Sequence, residues 1–517
     1  MARATRPPLP TYTNSQVSGF YFRPCRDEND EVILEYFRCR CGTVRKQTHR
    51  NGYSNLMQHV RREHPDYETV MLDATTAETG SLVNFVRHSA LNLHGWMVWI
   101  VMCNLPLSFC ESREARRYSS LDPISEETLR AGMDGVVVAV ERSIASELPS
   151  RFGIMLDGWT HASEHYIAVF ACYEVNGSAK TTLLSMAPLL DALDEDLSAQ
   201  GHLEFLATML PRDYGVQLAQ CRFLVADNCA VNRRLATLVS VSLIGCASHR
   251  LNLAVQADMA AYEDDLAAVQ ALMVKLRTLT QSAKLRMKTP LRPVIRQDTR
   301  WGSTFEMVRR YLKLLEFLDV EDDDIMELLQ PPAANKRLRA LYQELCDIES
   351  VSKALQGHDV DLLDVREWFD ELLAVKPQYE RFIGPRANIV HSPDFESGCV
   401  RVLRGKAQRL TRAERVALQP FEAVRPDDAD ASEEAEEAAA SFVERLRKRR
   451  RHAQDRVKYE QLKSIPPTSN VVERFFSIAR VTFGHQQHGL LPRTLETILF
   501  LRQNRSYWDA TTVDNLS

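Results

Sequence analysis

The chain has 517 residues, of which 45% are hydrophobic, and its formal net charge at pH 7 is -5. This length favours two to four domains with sizeable cores, and the charge excludes a basic surface over the whole protein, so any nucleic-acid contact must come from local patches. The 11 cysteines are scattered without the dense spacing of a disulfide scaffold, which indicates reduced thiols in a cytosolic or nuclear protein.

The N-terminal segment lacks the patterns of ordered structure and of export. Residues 1–18 are rich in proline and polar residues and have no apolar periodicity, so we expect them to be disordered and not a signal peptide. The most apolar stretch, HGWMVWIVMCNLPLSFC, has only about a dozen apolar residues before Asn104 and Pro106, whereas a membrane span needs ~20. We therefore predict a buried helix there and no membrane contact.

A small cysteine–histidine unit is predicted over residues 19–68. Cys39 and Cys41 are followed by His59 and His64. Two thiolates followed by two imidazoles on a helix suit a tetrahedral Zn²⁺ ion, and the histidines can reach one ion from adjoining helical turns. A unit of ~50 residues cannot bury enough apolar surface by itself, so a bound metal would help it to fold.

The helix of this unit is predicted from the segment SNLMQHV. Ser54 is the expected N-cap, and Leu56 and Val60 form a small core. The segment resembles BED-type zinc fingers, in which a Cys–Cys pair precedes an SNL…H…H helix. The spacing here is C-x-C rather than the usual C-x-x-C, so Cys25 and His49 are alternative ligands. The competing interpretation is a set of unrelated buried thiols and surface histidines.

Basic side chains surround the four metal-ligand candidates. They give this small unit the positive face that DNA phosphates require. The whole basic group is Arg38, Arg40, Arg45, Lys46, Arg50, Arg61 and Arg62. Of these, we expect Arg45, Lys46, Arg61 and Arg62 to contact DNA.

Short apolar strands begin at residue 151, after a helical region over residues 78–150. The predicted order is strand, strand, strand, helix, strand, helix and a further short strand, over GIML, HYIAVFACYEV, KTTLLSMAPLL, GHLEFLATML, CRFLVA, a helix from Asn232, and SLIGCASH. This order indicates a mixed α/β fold. Residues 256–420 return to helical periodicity.

Residues 421–452 form an acidic, alanine-rich run that ends in the basic cluster RLRKRRRH, Arg445–His452. The acidic part is typical of a solvated linker or surface helix. The basic cluster is consistent with a nuclear localisation signal, a phosphate contact or a solvated helix face, and we expect a nuclear protein.

Three acidic residues stand in apolar surroundings far apart in the sequence. Asp157 ends the first predicted strand, Asp227 ends the fourth, and Glu473 lies on a later helix. Two-metal phosphoryl chemistry needs carboxylates that hold two divalent ions ~4 Å apart, one beside the attacking oxygen and one beside the leaving oxygen. We expect the three acids to meet, as in an RNase H-like fold, where those two strands are neighbours. The alternative is that each acid is a turn, cap or solvated surface residue.

Five motifs that follow the finger-like unit resemble the hAT superfamily of DNA transposases. In order, they are DGWT, VADNCAVN, CASHRLNLAV, RWGSTFEMVRR and PPTSNVVERFFSIAR…LLPRTLETILFLRQNRSYWD, and the resemblance extends discontinuously over residues 19–510. It implies that Asp157, Asp227 and Glu473 are the catalytic triad and bind Mg²⁺ or Mn²⁺. It also implies strand cutting by water and then transesterification, which leaves a hairpin on the flanking DNA.

The resemblance implies further DNA-binding residues. Cys246 and His249 would organise the active site and the transposon end, rather than bind zinc. Trp301, next to Arg300, would stack on a base extruded near the cut, a contact that contributes ~1–3 kcal/mol. The alternative for Trp301 is a core residue packed by Phe305.

The C-terminal motif carries apolar residues at helical spacing, which usually form a core. They are Val472, Phe475, Phe476 and Ala479, then Leu495, Ile498, Leu499 and Leu501. In hAT proteins this region also packs against a partner chain, so we expect a homodimer or a higher homo-oligomer.

The expected architecture is an RNase H-like mixed sheet core with a large helical insertion and a small N-terminal zinc finger. The expected segments are a disordered N-terminus (1–18), the BED-type finger (19–68), a helical DNA-binding or dimerisation region (78–150), the first part of the core (151–255), the helical insertion (256–420), the linker (421–452), and the last part of the core with the dimerisation region (453–517).

The expected function is cleavage of double-stranded DNA by a transposase-like protein. A domesticated nuclear regulator that binds DNA without cutting it is the first alternative. A pure assembly protein built on the C-terminal helices is the second, and it predicts dimerisation without DNA affinity.

Overall fold

The computed structural model describes residues 12–26, 32–48, 52–73, 86–161, 164–189, 197–297, 300–319, 321–423, 459–484 and 491–516. They form a mixed α/β protein. The chain divides into two compact units, one made of Met1–Glu147 with Ile478–Ser517 and the other of Leu148–Ser477. The segment 453–517, predicted as one piece, therefore divides at Ile478.

The first unit begins with a helix where disorder was predicted. Helix α1 (Asn14–Tyr21) includes residues 14–18 of the segment 1–18, so that part of the prediction is wrong. Thr13 and Gln16 form a capping box, and Val17 and Phe20 are buried in a local core. A local cap and a tertiary contact thus order a segment whose composition is polar.

The rest of the N-terminal region contains a small antiparallel sheet and two helices. Strand order in this sheet is β1-β2-β3. The elements are β1 (Phe22–Arg26), β2 (Val32–Cys39), β3 (Val44–Lys46), α2 (Ser54–Glu63) and α3 (Tyr67–Asp73). Leu56 and Val60 of α2 are buried in its core, as predicted.

Three further helices follow in the predicted helical region, namely α4 (His88–Cys103), α5 (Arg113–Tyr118) and α6 (Glu126–Glu147). Helix α4 contains most of the apolar stretch, and its residues Trp96, Ile100 and Val101 are fully buried, as predicted. In the part of the chain that the structure describes, no helix has the length and apolarity to span a membrane.

A five-stranded mixed sheet forms the centre of the second unit. Its elements are β4 (Phe152–His161), β5 (Glu164–Val175), β6 (Ser178–Pro188), α7 (Ala199–Tyr214), β7 (Cys221–Ala226), α8 (Ala230–Val239) and β8 (Ser242–Gly245), in the predicted order. The strand order across the sheet is β6-β5-β4-β7-β8. Strands β6, β5 and β4 pair antiparallel, whereas β7 pairs parallel with both β4 and β8.

A long helical region follows, as the periodicity predicted. Its helices are α9 (Ala247–Met259), α10 (Glu263–Leu276), α11 (Leu279–Lys288), α12 (Trp301–Leu314), α13 (Asp323–Met326), α14 (Pro332–Ala354), α15 (Leu362–Val375), α16 (Glu380–Ile383), α17 (Pro393–Leu403) and α18 (Arg412–Leu418). One apolar cluster extends from Ala247 to Ile383. Residues 424–458, with most of the predicted linker, lie outside the described residues, and Glu422 pairs with Tyr459 across that interval.

The last helices are α19 (Asn470–Gly484), α20 (Pro492–Gln503) and α21 (Ala510–Asp514). Helix α20 belongs to the first unit, where Thr494 accepts a hydrogen bond from Arg130 of α6 at 2.8 Å. In α21, Asp514 pairs with Arg87 at 2.6 Å. The apolar residues Leu495, Ile498, Leu499 and Leu501 are buried within the chain itself.

The contact between β4 and β7 requires a glycine at position 153. A Cβ atom there would lie 2.1 Å from Cζ of Phe223, which no side chain can tolerate without movement. Phe223 is itself buried, so the ring has little room to move. The close approach of these two strands therefore depends on Gly153.

We predict that Gly153→Ala lowers the free energy of unfolding by about 1–3 kcal/mol, because it overpacks the sheet. Gly302→Ala is the matched control, since a Cβ there meets nothing within 4 Å and alanine favours the helix by about 0.5–1 kcal/mol. Urea unfolding of the full chain measures both changes. Equal stability of the two variants would contradict the prediction.

Candidate functional site

Two cysteines and two histidines of the first unit meet in one cluster. The Sγ atom of Cys39 lies 3.4 Å from Nε2 of His64, and Sγ of Cys41 lies 3.3 Å from Nε2 of His59. All four ligand atoms lie within 4.8 Å of one another. A tetrahedral ion with bonds of ~2.3 Å to sulfur and ~2.1 Å to nitrogen keeps those atoms ~3.6 Å apart, so the cluster could hold a metal such as zinc.

The short C-x-C spacing is accommodated by a tight turn after β2. Cys39 ends that strand, and its N–H donates to the carbonyl of Thr43 at 2.8 Å. Gly42 has a φ of +90°, a conformation that favours glycine, and its N–H donates to the carbonyl of Cys39. Both thiols therefore face the histidines without the second intervening residue.

The structure corrects two details of the α2 prediction. Tyr53, not Ser54, is at the N-cap, and the side-chain oxygen of Gln47 accepts the N–H of Asn55 at 3.0 Å. His59 lies within α2, but His64 is the residue directly after its end. An acceptor from outside the helix thus satisfies one of the free N–H groups in its first turn.

The two thiols lie in different environments. Hydrogen bonds from Thr43 lower the pKa of Cys41 to about 5, whereas burial raises the pKa of Cys39. The thiolate is the form that binds metal, and a bound cation would favour it at both positions. Cys25 lies in β1, away from the cluster, and His49 lies outside the described residues.

The basic residues expected to contact DNA are on the surface of this unit. Lys46, Arg61 and Arg62 are exposed, and Arg45 is half-buried. Two of them have acidic neighbours, since Lys46 lies 3.5 Å from Glu35 and Arg62 lies 2.7 Å from Glu63. Exposed pairs of this kind are weak, so these cations remain available for phosphate.

In the second unit, strand register brings Asp157 and Asp227 side by side. In the parallel pair, Ile154 lies opposite Leu224 and Met155 opposite Val225. If this register is continued past the end of β7 at Ala226, Asp157 and Asp227 come to adjacent positions on the same face, about 5 Å apart in the backbone.

Asp157 does not end its strand, which corrects the prediction. Strand β4 continues to His161 because it remains paired with β5, up to the pair His161 and Glu164. Only the β7 side of the pairing stops, since β7 ends at Ala226. Asp157 therefore lies where β4 loses one neighbour, which leaves its side chain half-buried beside the end of β7.

The environment of Asp157 disfavours its charge. The pKa of Asp157 is raised from 3.8 to about 7. Burial is the largest cause and the negative charges of Asp227 and Glu473 add to it, while the N–H of Gly158 and the guanidinium of Arg300 oppose the shift. The third predicted acid thus acts on the same carboxyl group as the second.

Glu473 is positioned by the segment before its helix. The carbonyl of Pro467 accepts the N–H of Ala247 at 2.9 Å, Sγ of Cys246 accepts the N–H of Ser469 at 3.3 Å, and the side chain of Asn470 donates to Ser248 at 3.0 Å. Three consecutive residues at the start of α9 therefore anchor the start of α19. Deeper in α19, Phe475 and Phe476 pack against Phe170 and Trp159 of the sheet.

These contacts assign a structural position to the C-x-x-H motif. Cys246 is fully buried, so its side chain offers no surface to DNA in this structure. His249 is half-buried in the first turn of α9. The contacts support the expectation that this motif organises the acidic site. They do not support a contact between Cys246 and DNA.

The tryptophan of the RWGS motif lies in the core. Trp301 is 5% exposed, and its ring packs edge-on against Phe305, with centroids 6.0 Å apart. The prediction that Trp301 offers a surface for base stacking is therefore wrong for this structure, because its ring is buried against other apolar side chains. Its neighbour Arg300 is exposed and pairs with Glu473 at 2.9 Å.

Sequence reasoning missed Asn232, which holds Asp227. Its side-chain amide donates to Oδ1 of Asp227 at 2.5 Å and to the backbone carbonyl of the same residue at 3.4 Å. Asn232 is buried in the first turn of α8. The signal was present, since an asparagine five positions after the acid, just inside a helix, can return to the strand end.

The three acids fit divalent metal by their chemistry, because hard cations prefer carboxylate oxygens. Their ligand atoms lie further apart than those of the cysteine–histidine cluster. Among the residues that the structure describes, only that cluster has three or more ligand atoms all within 4.8 Å. The ion pair of Glu473 with Arg300 occupies one carboxylate oxygen of the third acid.

Comparison of the sequence with protein-family models gave no match, and comparison with curated proteins gave none either.

We predict that the first unit depends on a metal bound by the Cys–His cluster. Cys41→Ser is expected to lower the metal content, from about one Zn²⁺ per chain, by at least tenfold. It should also lower the melting temperature of this unit by roughly 5 °C or more, since metal binding contributes to folding. Elemental analysis and calorimetry measure the two effects. Cys103→Ser, at an exposed thiol of the same unit, is the control.

We predict that Asp157→Asn stabilises the protein above neutral pH. Folded Asp157 keeps its proton up to pH about 7, whereas the unfolded residue loses it near 3.8, so the free energy of unfolding of the wild type falls as pH rises between these values. The difference between variant and wild type should be near zero below pH 4 and reach ~1 kcal/mol above pH 7, after allowance for solvent screening. Chemical unfolding at several pH values measures it, and a constant difference across pH would contradict the assignment.

Proposed function

We propose that this chain is a hAT-like DNA transposase or a close derivative, which binds double-stranded DNA and cleaves it by metal-dependent phosphoryl transfer. The observation that carries the proposal is the register of β4 and β7. Continued past the end of β7, it would set Asp157 beside Asp227, and the charges of Asp227 and Glu473 both raise the pKa of Asp157. Carboxylates that repel one another in this way are typical of a site that binds cations.

The architecture of the second unit supports an RNase H-like core. Three antiparallel strands continue into two parallel ones, and the two strands that carry acids are neighbours in the order β6-β5-β4-β7-β8. Glu473 comes from a helix that follows a long helical region, which fits a helical insertion over residues 256–420. These features agree with the five motifs that resemble hAT transposases.

In this mechanism Asp157, Asp227 and Glu473 would hold Mg²⁺ or Mn²⁺. When bound, such ions activate water as a nucleophile and stabilise the leaving oxygen of the phosphate. The protein itself supplies the orientation. Asn232 fixes the rotamer of Asp227, the N–H of Gly158 donates to Oδ1 of Asp157 at 2.9 Å, and the anchored start of α19 holds Glu473.

The cysteine–histidine unit would act as a BED-type zinc finger that binds DNA. Arg61 and Arg62 follow His59 in α2 and are exposed, and Arg45 and Lys46 lie on β3. Each lysine or arginine that neutralises a phosphate releases counterions, so the affinity should fall with salt. The basic run Arg445–His452, which lies outside the described residues, would serve as a nuclear localisation signal.

We also propose self-association. The apolar residues of α20 are buried within the chain, so the contact would use other surfaces of the C-terminal region.

A DNA-binding regulator without cleavage activity is the second candidate. The observation that favours it is the ion pair between Arg300 and Glu473, which engages a proposed metal ligand. If that pair persists when DNA and divalent metal are present, the third carboxylate cannot complete the site. The same fold would then serve only to bind DNA and to self-associate.

We predict that the purified full chain nicks supercoiled DNA in Mn²⁺ and that Asp157→Asn and Asp227→Asn each reduce the rate at least 100-fold. The physical reason is the loss of a metal ligand. Glu174→Gln is the matched control. It removes the same charge from the exposed far end of β5, about 20 Å along the strand, and should leave the rate unchanged.

The two candidates are separated by measuring DNA binding on the same samples. Salt-dependent binding that is lost in His59→Ala, together with no nicking by the wild type, would favour the regulator. Equal nicking rates of the wild type and Asp227→Asn would contradict the assignment of Asp227 as a catalytic metal ligand. Dimerisation without any DNA affinity would instead favour a pure assembly protein.

A further inference from the structure

A cavity lies in the second unit between the start of α9 and helices α15, α17 and α18. Its volume is about 340 Å³, within the range of ~300–1,000 Å³ that is typical of small-molecule sites. Its lining includes Ala247 and Pro467, whose backbone hydrogen bond anchors the segment before Glu473. The three acids themselves do not line it.

Arginine dominates the polar part of this lining. Five arginines line the cavity against three acidic residues. Two of them pair with buried acids, since Arg250 lies 3.1 Å from Glu396 and Arg401 lies 3.3 Å from Glu414. Both acids are at most 15% exposed in their side chains, so these two pairs belong to the framework of the cavity.

Two other arginines retain binding capacity. Arg366 is 12% exposed, donates from Nη1 to the carbonyl of Ile383 at 2.9 Å and pairs through Nη2 with Asp370 at 2.8 Å, and its buried Nε has no hydrogen-bond partner among the described residues. The closest acidic oxygens to Arg404 are 3.6 and 4.0 Å away, at the limit of an ion pair. A buried donor without a partner is costly, so an acceptor at this position would be stabilised.

The cavity also presents an acceptor and an apolar wall. Oε1 of Glu396 is buried and has no partner among the described residues, whereas its Oε2 binds Arg250. Phe369 lies on the wall between Arg250 and Arg366, with both guanidinium carbons 5.9 Å from its ring centroid. The lining thus offers a cationic donor, an anionic acceptor and an aromatic surface together.

We infer that this cavity binds a small organic phosphate that carries hydroxyl groups, of the nucleotide or sugar-phosphate class. The phosphate would accept one hydrogen bond from Nε of Arg366 and two from Arg404, whose planar fork matches its oxygens. A hydroxyl group would donate to Oε1 of Glu396, and the carbon skeleton would lie against Phe369. A carboxylate ligand satisfies the cations less well, because it carries one charge and two oxygens.

Isothermal titration calorimetry of the full chain, at 150 mM salt without divalent metal, tests this site with two probes, ADP and glucose 6-phosphate. We expect one of them to bind saturably with one site per chain, at least tenfold more tightly than adenosine, glucose or pyrophosphate. Arg404→Gln should weaken that probe at least tenfold, and its half-exposed position makes a folding defect avoidable. Arg415→Gln is the matched control, since Arg415 is exposed on α18 and does not line the cavity.

Three results would overturn the inference. The first is the absence of saturable binding of both probes to a wild type with an intact unfolding transition. The second is equal affinity of wild type and Arg404→Gln. The third is binding of pyrophosphate as tight as that of the preferred probe, which would mean an anion site without recognition of the organic part. None of these results bears on DNA cleavage, which is measured separately.

Discussion

The parallel pairing of β4 with β7 is the constraint on which the candidate acidic site depends. It aligns two strands that are separated by two antiparallel strands and a helix in the sequence, and it does so in a register that sets Asp157 beside Asp227. Gly153 permits the close approach, because any larger residue would meet the ring of Phe223. A shift of one residue would turn one of the two acids to the opposite face of the sheet.

The third acid depends on a different set of contacts, made by the start of α9. Cys246, Ala247 and Ser248 bind the segment Pro467–Asn470 through one thiol, one backbone and one hydroxyl contact. The buried cysteine therefore matters for where α19 begins rather than for its own reactivity. Arg300 pairs with Glu473, so a metal ion at that carboxylate would have to displace this cation.

The cysteine–histidine cluster depends on residues that are close together in the sequence. Its four ligands lie within 26 residues of sequence, on β2, on the turn after it, within α2 and directly after the end of α2. A short sheet and one helix suffice to bring them together, so the ligand set could be predicted without knowledge of the rest of the chain. The cap of α2 could not, because Gln47 takes part through a contact that has no fixed spacing in sequence.

The sequence by itself determined the order of strands and helices, the mixed α/β class, the burial of the apolar stretch in α4 and the four residues of the cysteine–histidine cluster. These follow from local periodicity and from ligand types at short spacing. Only the tertiary structure decided that β4 extends past Asp157, that Trp301 lies in the core rather than on a surface, and that Asn232 holds Asp227. The physical reason is that strand length depends on which neighbour remains paired, and burial of a ring depends on the residues that converge on it from distant parts of the chain.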